Sequence, residues 1–153
     1  MIKMRGDIKS TIDKFFPTGI YENPLKNKST FSSEHQKLIY DVIGEIKHKL
    51  TRDLTHASDG EYDFSEKVVI KSHVILHLSF LGPFAHLNLK SAKRHMEETE
   101  VDLIVAVIKE ILDLCEFLLL SEDDILEEVP WLQASDSLAK GKVRVWNCLF
   151  CEY

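Results

Sequence analysis

From Val68 to Leu81 the apolar residues recur at every second position, and that alternation constrains the fold more than any other stretch of the chain. Val68, Ile70, Val74, Leu76, Leu78 and Phe80 fall on one side, with Ser72 among them. Val69, Lys71, His73, Ile75, His77, Ser79 and Leu81 fall on the other. A period of two marks a β-strand with one apolar and one mixed face, because successive side chains point to opposite sides of a sheet. Gly82-Pro83 cannot continue a hydrogen-bonded ladder and is expected to reverse the chain. Phe84 to Leu89 would then pair back as a short antiparallel strand.

An apolar sheet face needs a cover, and segments of helical period supply it. Ile8, Ile12, Phe15 and Phe16 lie at helical spacing within Met4 to Phe16. Pro17, Gly19 and Pro24 break that pattern and give a loop to about Thr30. A second helix carries the stripe Leu38, Ile39, Val42, Ile43, Ile46 and Leu50, with Ser32 or Ser33 as its cap. Glu34, Lys37, Asp41, Glu45, Lys47 and Lys49 occupy its other face, and Asp59-Gly60 marks a turn after it.

The third helix is set by Val101, Ile104, Val105, Ile108, Ile111, Leu112, Cys115 and Leu119. Leu103, Val107, Leu114 and Phe117 widen this stripe, which predicts cover on more than one side. Ser121 followed by Glu122-Asp123-Asp124 predicts the start of a short helix ending before Pro130, because acids favour the positive end of the helix dipole. Gly141 precedes a last strand, Lys142 to Phe150, rich in β-formers. Strands and helices do not alternate one for one, so the pattern predicts an α+β fold. We expect a small antiparallel sheet of three to four strands, helices packed mainly on one face, and a single globular domain over residues 1–153.

A chain of 153 residues, 44% apolar and 29% charged, is long enough to bury one real core. Its start, Met1-Ile2-Lys3-Met4-Arg5-Gly6-Asp7, lacks an apolar core segment, so no signal peptide is expected. No apolar run approaches the roughly 18 residues of a membrane span. Three cysteines argue against a disulfide framework. These features together predict a reduced, cytoplasmic protein that engages no membrane. The net charge of −6 speaks against nucleic acid as a partner, since phosphate contacts need clustered Lys and Arg.

That charge is unevenly spread. Between Glu97 and Glu128 stand twelve carboxylates against one base, Lys109, a formal charge of −11 that leaves the rest of the chain at +5. Such polarity predicts an acidic face that attracts a basic protein partner by steering and complementarity. The residues expected to carry it are Glu110, Asp113, Glu116, Glu122, Asp123, Asp124, Glu127 and Glu128, with Trp131 and Trp146 as aromatic anchors at its edge. The corresponding function is a non-enzymatic binding protein. Its most specific form is an acidic immunity or inhibitor protein that masks a basic toxin or nuclease.

Two other classes compete with that reading. The mixed side of the strand offers Lys71, His73, His77 and Ser79, with His86 from the returning strand, as a polar-face site for a small phosphoesterase or hydrolase. His77-Leu78-Ser79-Phe80 resembles one H-x-[ST]-hydrophobic element of the two-histidine phosphoesterases. Those enzymes need two such elements. The other H-x-S here, His56-Ala57-Ser58, is followed by Asp59 instead of a hydrophobe. A homodimeric scaffold or adaptor is the remaining class.

No metal site or cofactor is expected. Four strand residues span about 13 Å, too far for one ion to bridge His73 and His77. Cys148 and Cys151 form a C-x-x-C whose thiols would point to opposite faces of the expected last strand.

Overall fold

The computed structural model describes residues 5–25, 31–57, 63–133 and 142–151. In it the alternating segment is folded in half. Strand β2 (Ser65–Ile70) and strand β3 (Val74–Ser79) form an antiparallel hairpin, with Val68 opposite Leu76 and Ile70 opposite Val74. The reversal is made by Lys71 (φ 50°) and Ser72 (φ 66°), and the His73 amide donates to the Ile70 carbonyl at 3.2 Å. Two consecutive positive φ values are the signature of a type I′ turn, whose twist matches that of a hairpin.

Ile70 to Val74 is a step of four residues, an even number. Even-numbered side chains therefore stay on one face across the turn, and the alternation runs through it unbroken. The single long strand expected from Val68 onward is thus corrected to two.

Strand β1 (Leu54–Ala57) pairs antiparallel with β2, and strand β4 (Phe84–Asn88) pairs antiparallel with β3. Helices α1 (Gly6–Phe15) and α2 (Ser33–Lys49) precede the sheet. The short α3 (Lys90–His95) and the 17-residue α4 (Glu98–Leu114) follow β4, and they lead into strand β5 (Leu118–Leu120), which lies parallel to β4. Helices α5 (Glu122–Leu126) and α6 (Val145–Leu149) complete the described elements.

The fold is α+β, but the sheet has five strands in the order β1-β2-β3-β4-β5, and one pairing is parallel. Both points correct the expected antiparallel sheet of three to four strands. The fifth strand was hidden in the apolar run Phe117 to Leu120, which periodicity read as more helix. A short continuous apolar run fits either state.

Both sheet faces are covered, which corrects the expected one-sided arrangement. On one face Val68, Ile70, Val74, Leu76, Leu78 and Ala85 meet Ile39, Val42, Ile43 and Ile46 of α2, and Val101, Ile104, Ile108, Ile111 and Leu112 of α4. Each Val, Leu or Ile among them, fully buried, stabilises by about 1.5–3 kcal/mol relative to exposure. Ser32, one of the two serines the sequence offered as cap, caps α2 by accepting from the His35 amide at 3.1 Å, and Ser33 is the first helical residue. Buried His35 then donates through Nε2 to the Ser79 carbonyl at 2.7 Å, tying α2 to the end of β3.

Over the opposite face Phe84 and Leu120 join Ile8 and Ile12 of α1, Ile125 of α5, and Val145, Cys148 and Leu149 of α6. The strand expected at Lys142 to Phe150 is instead that last helix. Its buried residues Val145, Cys148 and Leu149 fall at i, i+3 and i+4, a helical stripe that outweighs the β-propensity of the segment. Asn147 caps it by accepting from the Arg144 amide at 2.9 Å. The C-x-x-C therefore starts on a helix. Cys148 is buried, and burial pushes its thiol well above the usual range. The expected turn at Asp59-Gly60, the loop residues just before Phe31, and Gly141 lie outside the described residues.

The left-handed pair at Lys71 and Ser72 carries strain of about 1–2 kcal/mol per residue. Ser72→Gly should raise stability by about 0.5–1 kcal/mol once the extra entropy of glycine is deducted. A higher urea midpoint at unchanged slope is the expected reading; a lower one would mean the turn is not left-handed at this position.

Candidate functional site

The carboxylates of the acidic stretch divide by location. Glu98 and Glu100 sit in the first turn of α4, where the positive end of the helix dipole favours them, and Glu100 accepts from the Lys71 ammonium at 3.2 Å. Glu122, Asp123 and Asp124 likewise open α5. Asp124 has a local task in a capping box: its carboxylate accepts from the Ser121 amide at 2.9 Å while the Ser121 hydroxyl accepts from its amide at 3.1 Å. This is the helix start predicted from the sequence. Glu128 pairs with Lys142 at 3.3 Å, and Glu122 lies 3.4 Å from His86 Nε2.

At the other end of α4 the acids have no such explanation. Glu110 and Asp113 are exposed on its last turns, Glu116 is exposed just beyond, and the last turn holds no basic residue. Asp113 and Glu116 face the negative end of the helix dipole, which destabilises by a few tenths to about 1 kcal/mol each. Among the described residues none of the three makes an ion pair.

Glu116 bears a second burden. The Phe117 amide donates to the Leu112 carbonyl at 2.8 Å and the Glu116 amide to the Asp113 carbonyl at 3.1 Å, which is the Schellman pattern of a helix end. Its left-handed position is normally glycine, yet Glu116 holds it at φ 60°.

Beside this helix end a shallow depression of about 480 Å³ lies between α2 and α4. Tyr40, Asp41, Gly44 and Glu45 line it from α2, and Ile111, Leu114 and Cys115 line it from the other side. Tyr40 is 60% exposed and Leu114 66% exposed. The Cys115 thiol is raised first by burial and then by the carboxylates of Glu45 and Asp41, against a smaller opposing effect of Lys49. Glu45 is itself paired with Lys49 at 3.3 Å, which leaves Asp41, among the described residues, as the unpaired carboxylate of the lining. The α2 residues were missed as site candidates, because their charges alternate with lysines in sequence and only packing brings Asp41 and Glu45 beside the end of α4.

The acidic residues thus form two groups at the two ends of the edge strand β5. Glu110, Asp113 and Glu116 lie in the layer of α2 and α4. Glu122, Asp123, Asp124, Glu127 and Glu128 lie in the layer that α5 shares with α1 and α6. Trp131 belongs with the second layer, where the Lys9 ammonium of α1 sits 5.1 Å from its ring centroid. Trp146 packs inward, stacked on Phe150 at 5.1 Å.

The polar-face candidates separate into three places. Lys71 and His73 are at the hairpin turn, where His73 Nδ1 is 2.8 Å from the Ser91 hydroxyl and its ring stacks on His95 at 4.7 Å. Buried Ser79 donates its hydroxyl to the Leu149 carbonyl. His77 and His86 alone are brought together, as cross-strand neighbours with Trp146 edge-on to both. Buried His86 donates through Nδ1 to the Leu120 carbonyl at 3.0 Å. The five residues do not converge on one pocket. No group of three His, Cys, Asp or Glu side chains among the described residues is placed to hold a metal ion. No described helix is long and apolar enough to cross a membrane.

Against this geometry the chain matches no family model, no curated protein and no solved structure.

His77 has a measurable consequence for stability. Burial, reinforced by His86 and Lys67, lowers its pKa from 6.5 to about 4, and its Nδ1 has no hydrogen-bond partner. Above pH 6.5 the ring is neutral in both states and contributes no pH dependence. As pH falls toward 4 the unfolded chain takes up a proton that the folded ring refuses, so stability declines through that window, by about 3 kcal/mol at most. Urea unfolding of wild type and His77→Phe across the window should give a difference that narrows or reverses toward acid. A difference independent of pH would mean the ring is solvated in the folded state.

Proposed function

We propose that this protein binds a basic protein partner through the acidic surface around β5, with the C-terminal end of α4 as its centre. One observation carries the reading. Asp113 and Glu116, with Glu110 a turn before them, stand at the unfavourable end of a helix dipole, Glu116 in a left-handed conformation suited to glycine, and none of the three makes an ion pair among the described residues. Residues that reduce stability without a visible return inside the chain are the ones expected to serve binding. A cationic partner would supply the missing counter-charge, and charge pairing of this kind mainly raises the association rate and sets specificity.

The second group, Glu122, Asp123 and Glu127 with Glu128 and Trp131, is a separate acidic patch past the other end of β5 and a second point of contact. A partner with a positively charged cleft, such as a nuclease or toxin whose site accepts phosphate, fits this surface. Immunity or inhibition is the most specific form of the proposal. A cytoplasmic location accords with the low, odd count of three cysteines.

The test uses two double variants. Asp113→Lys with Glu116→Gly should fold at least as stably as wild type, by about 1 kcal/mol or more, because both changes relieve local strain. The same variant should associate with its basic partner at least tenfold more slowly at low salt, and the wild-type rate should fall steeply as salt is added. Asp123→Lys with Glu127→Lys should slow association as well. Association unchanged by both double variants, or insensitive to salt, would remove this surface from the binding reaction.

A further inference from the structure

The depression beside the end of α4 contains a third locally unfavourable choice. Gly44 sits in the middle of α2, eleven residues after Ser33 and five before Lys49. A Cβ built there would meet nothing within 4 Å, and the residue is not among those with positive φ. Neither crowding nor backbone conformation calls for glycine, which is among the least favourable residues for a helix interior. What its missing side chain does is open the helix surface. Gly44 lines the acidic depression on one flank, and on the other it lines a second depression of about 530 Å³ with Lys47, His48, Arg52 and Leu54.

We propose that the depression between α2 and α4 is the seat of an amphipathic, basic helix of the partner protein, with Gly44 giving that helix room for close approach. This rests on the reading of the α4 end as a partner-binding surface and adds where on it, and by what, the contact is made. Exposed Tyr40 and Leu114, with Ile111 and Cys115 at the floor, offer the apolar contact that a helix face requires. Asp41 and Glu45 on α2 border the contact, and Glu110, one helical turn before Leu114, shares its face of α4. Glu45 is paired with Lys49 at 3.3 Å, and Asp41 and Glu110 select a cationic border on the incoming helix. Lys47 and Arg52 beyond Gly44 repel the same charges. That repulsion fixes the side from which the helix enters.

The experiment titrates isotope-labelled protein with two peptides of about 18 residues, long enough for five helical turns. One places leucines on a single helical face and lysines on the rest; the other has the same composition with the leucines dispersed. Amide shifts and affinity are read for wild type and Gly44→Ala. The amphipathic peptide is expected to bind about tenfold more tightly than its shuffled form, with shifts centred on Gly44, Ile111, Leu114 and Cys115. Gly44→Ala should raise Tm by about 2–4 °C, as an exposed helix position relieved of glycine does, and should weaken the amphipathic peptide at least fivefold.

Equal affinity for both peptides, with shifts confined to Glu122–Glu127, would overturn the seat while leaving the charged surface in place. No binding of either peptide at low salt would overturn the charged surface as well. Loss of affinity in Gly44→Ala with Tm lowered would overturn the inference too, since the glycine would then serve the fold. Concentration-dependent self-association, centred on the same amides and without any peptide, would replace the partner helix by a second copy of this chain.

Discussion

The hydrogen bond from the Phe117 amide to the Leu112 carbonyl is a small interaction on which much of the architecture depends. It stops α4 after 17 residues and turns the chain so that Leu118–Leu120 can lie parallel to β4. Phe117, at the stop, joins the core between the sheet and helices α2 and α4. Leu120, three residues later, joins the core beneath α1, α5 and α6. The short edge strand thus stitches one apolar layer to the other. Without the stop, α4 would run on, and the second face of the sheet would lose the residues that begin its cover.

That same stop concentrates the electrostatic tension of the molecule. A helix end gathers carbonyl oxygens whose amides are missing, and it favours cations or a neutral glycine. Here it carries Glu110, Asp113 and Glu116. Five other acids of the same stretch follow the opposite rule. Glu98, Glu100, Glu122, Asp123 and Asp124 are at positive helix ends, and several have hydrogen-bond or ion-pair partners. The contrast within one stretch of sequence separates charge that serves the fold from charge that does not. Gly44 on the facing helix is a further local cost, and it lines the depression beside Leu114 and Cys115.

The histidines illustrate how packing commits titratable residues to structural roles, among them three that sequence alone assigned to a polar-face site. His35 anchors α2 to β3, His73 braces the hairpin turn against α3, and His86 holds the β5 edge through the Leu120 carbonyl. Each is committed to a backbone or hydroxyl partner. His77 is the exception, held neutral under Trp146 by its surroundings.

Local sequence determined the helices α1, α2 and α4, the caps at Ser32 and Ser121, the returning strand β4, and the even-numbered apolar face of β2 and β3. Each of these rests on a period or a cap that acts over a few residues. It also determined that an excess of negative charge falls between Glu97 and Glu128. Tertiary structure alone decided the turn at Lys71-Ser72, because the turn preserves parity and uses neither glycine nor asparagine. It decided that Leu118–Leu120 is strand and Val145–Leu149 helix, since short apolar runs take the state that their packing partners impose. And it alone placed Asp41, Gly44 and Glu45, distant in sequence, against the acidic end of α4: a groove belongs to two surfaces, and no single segment encodes the distance between them.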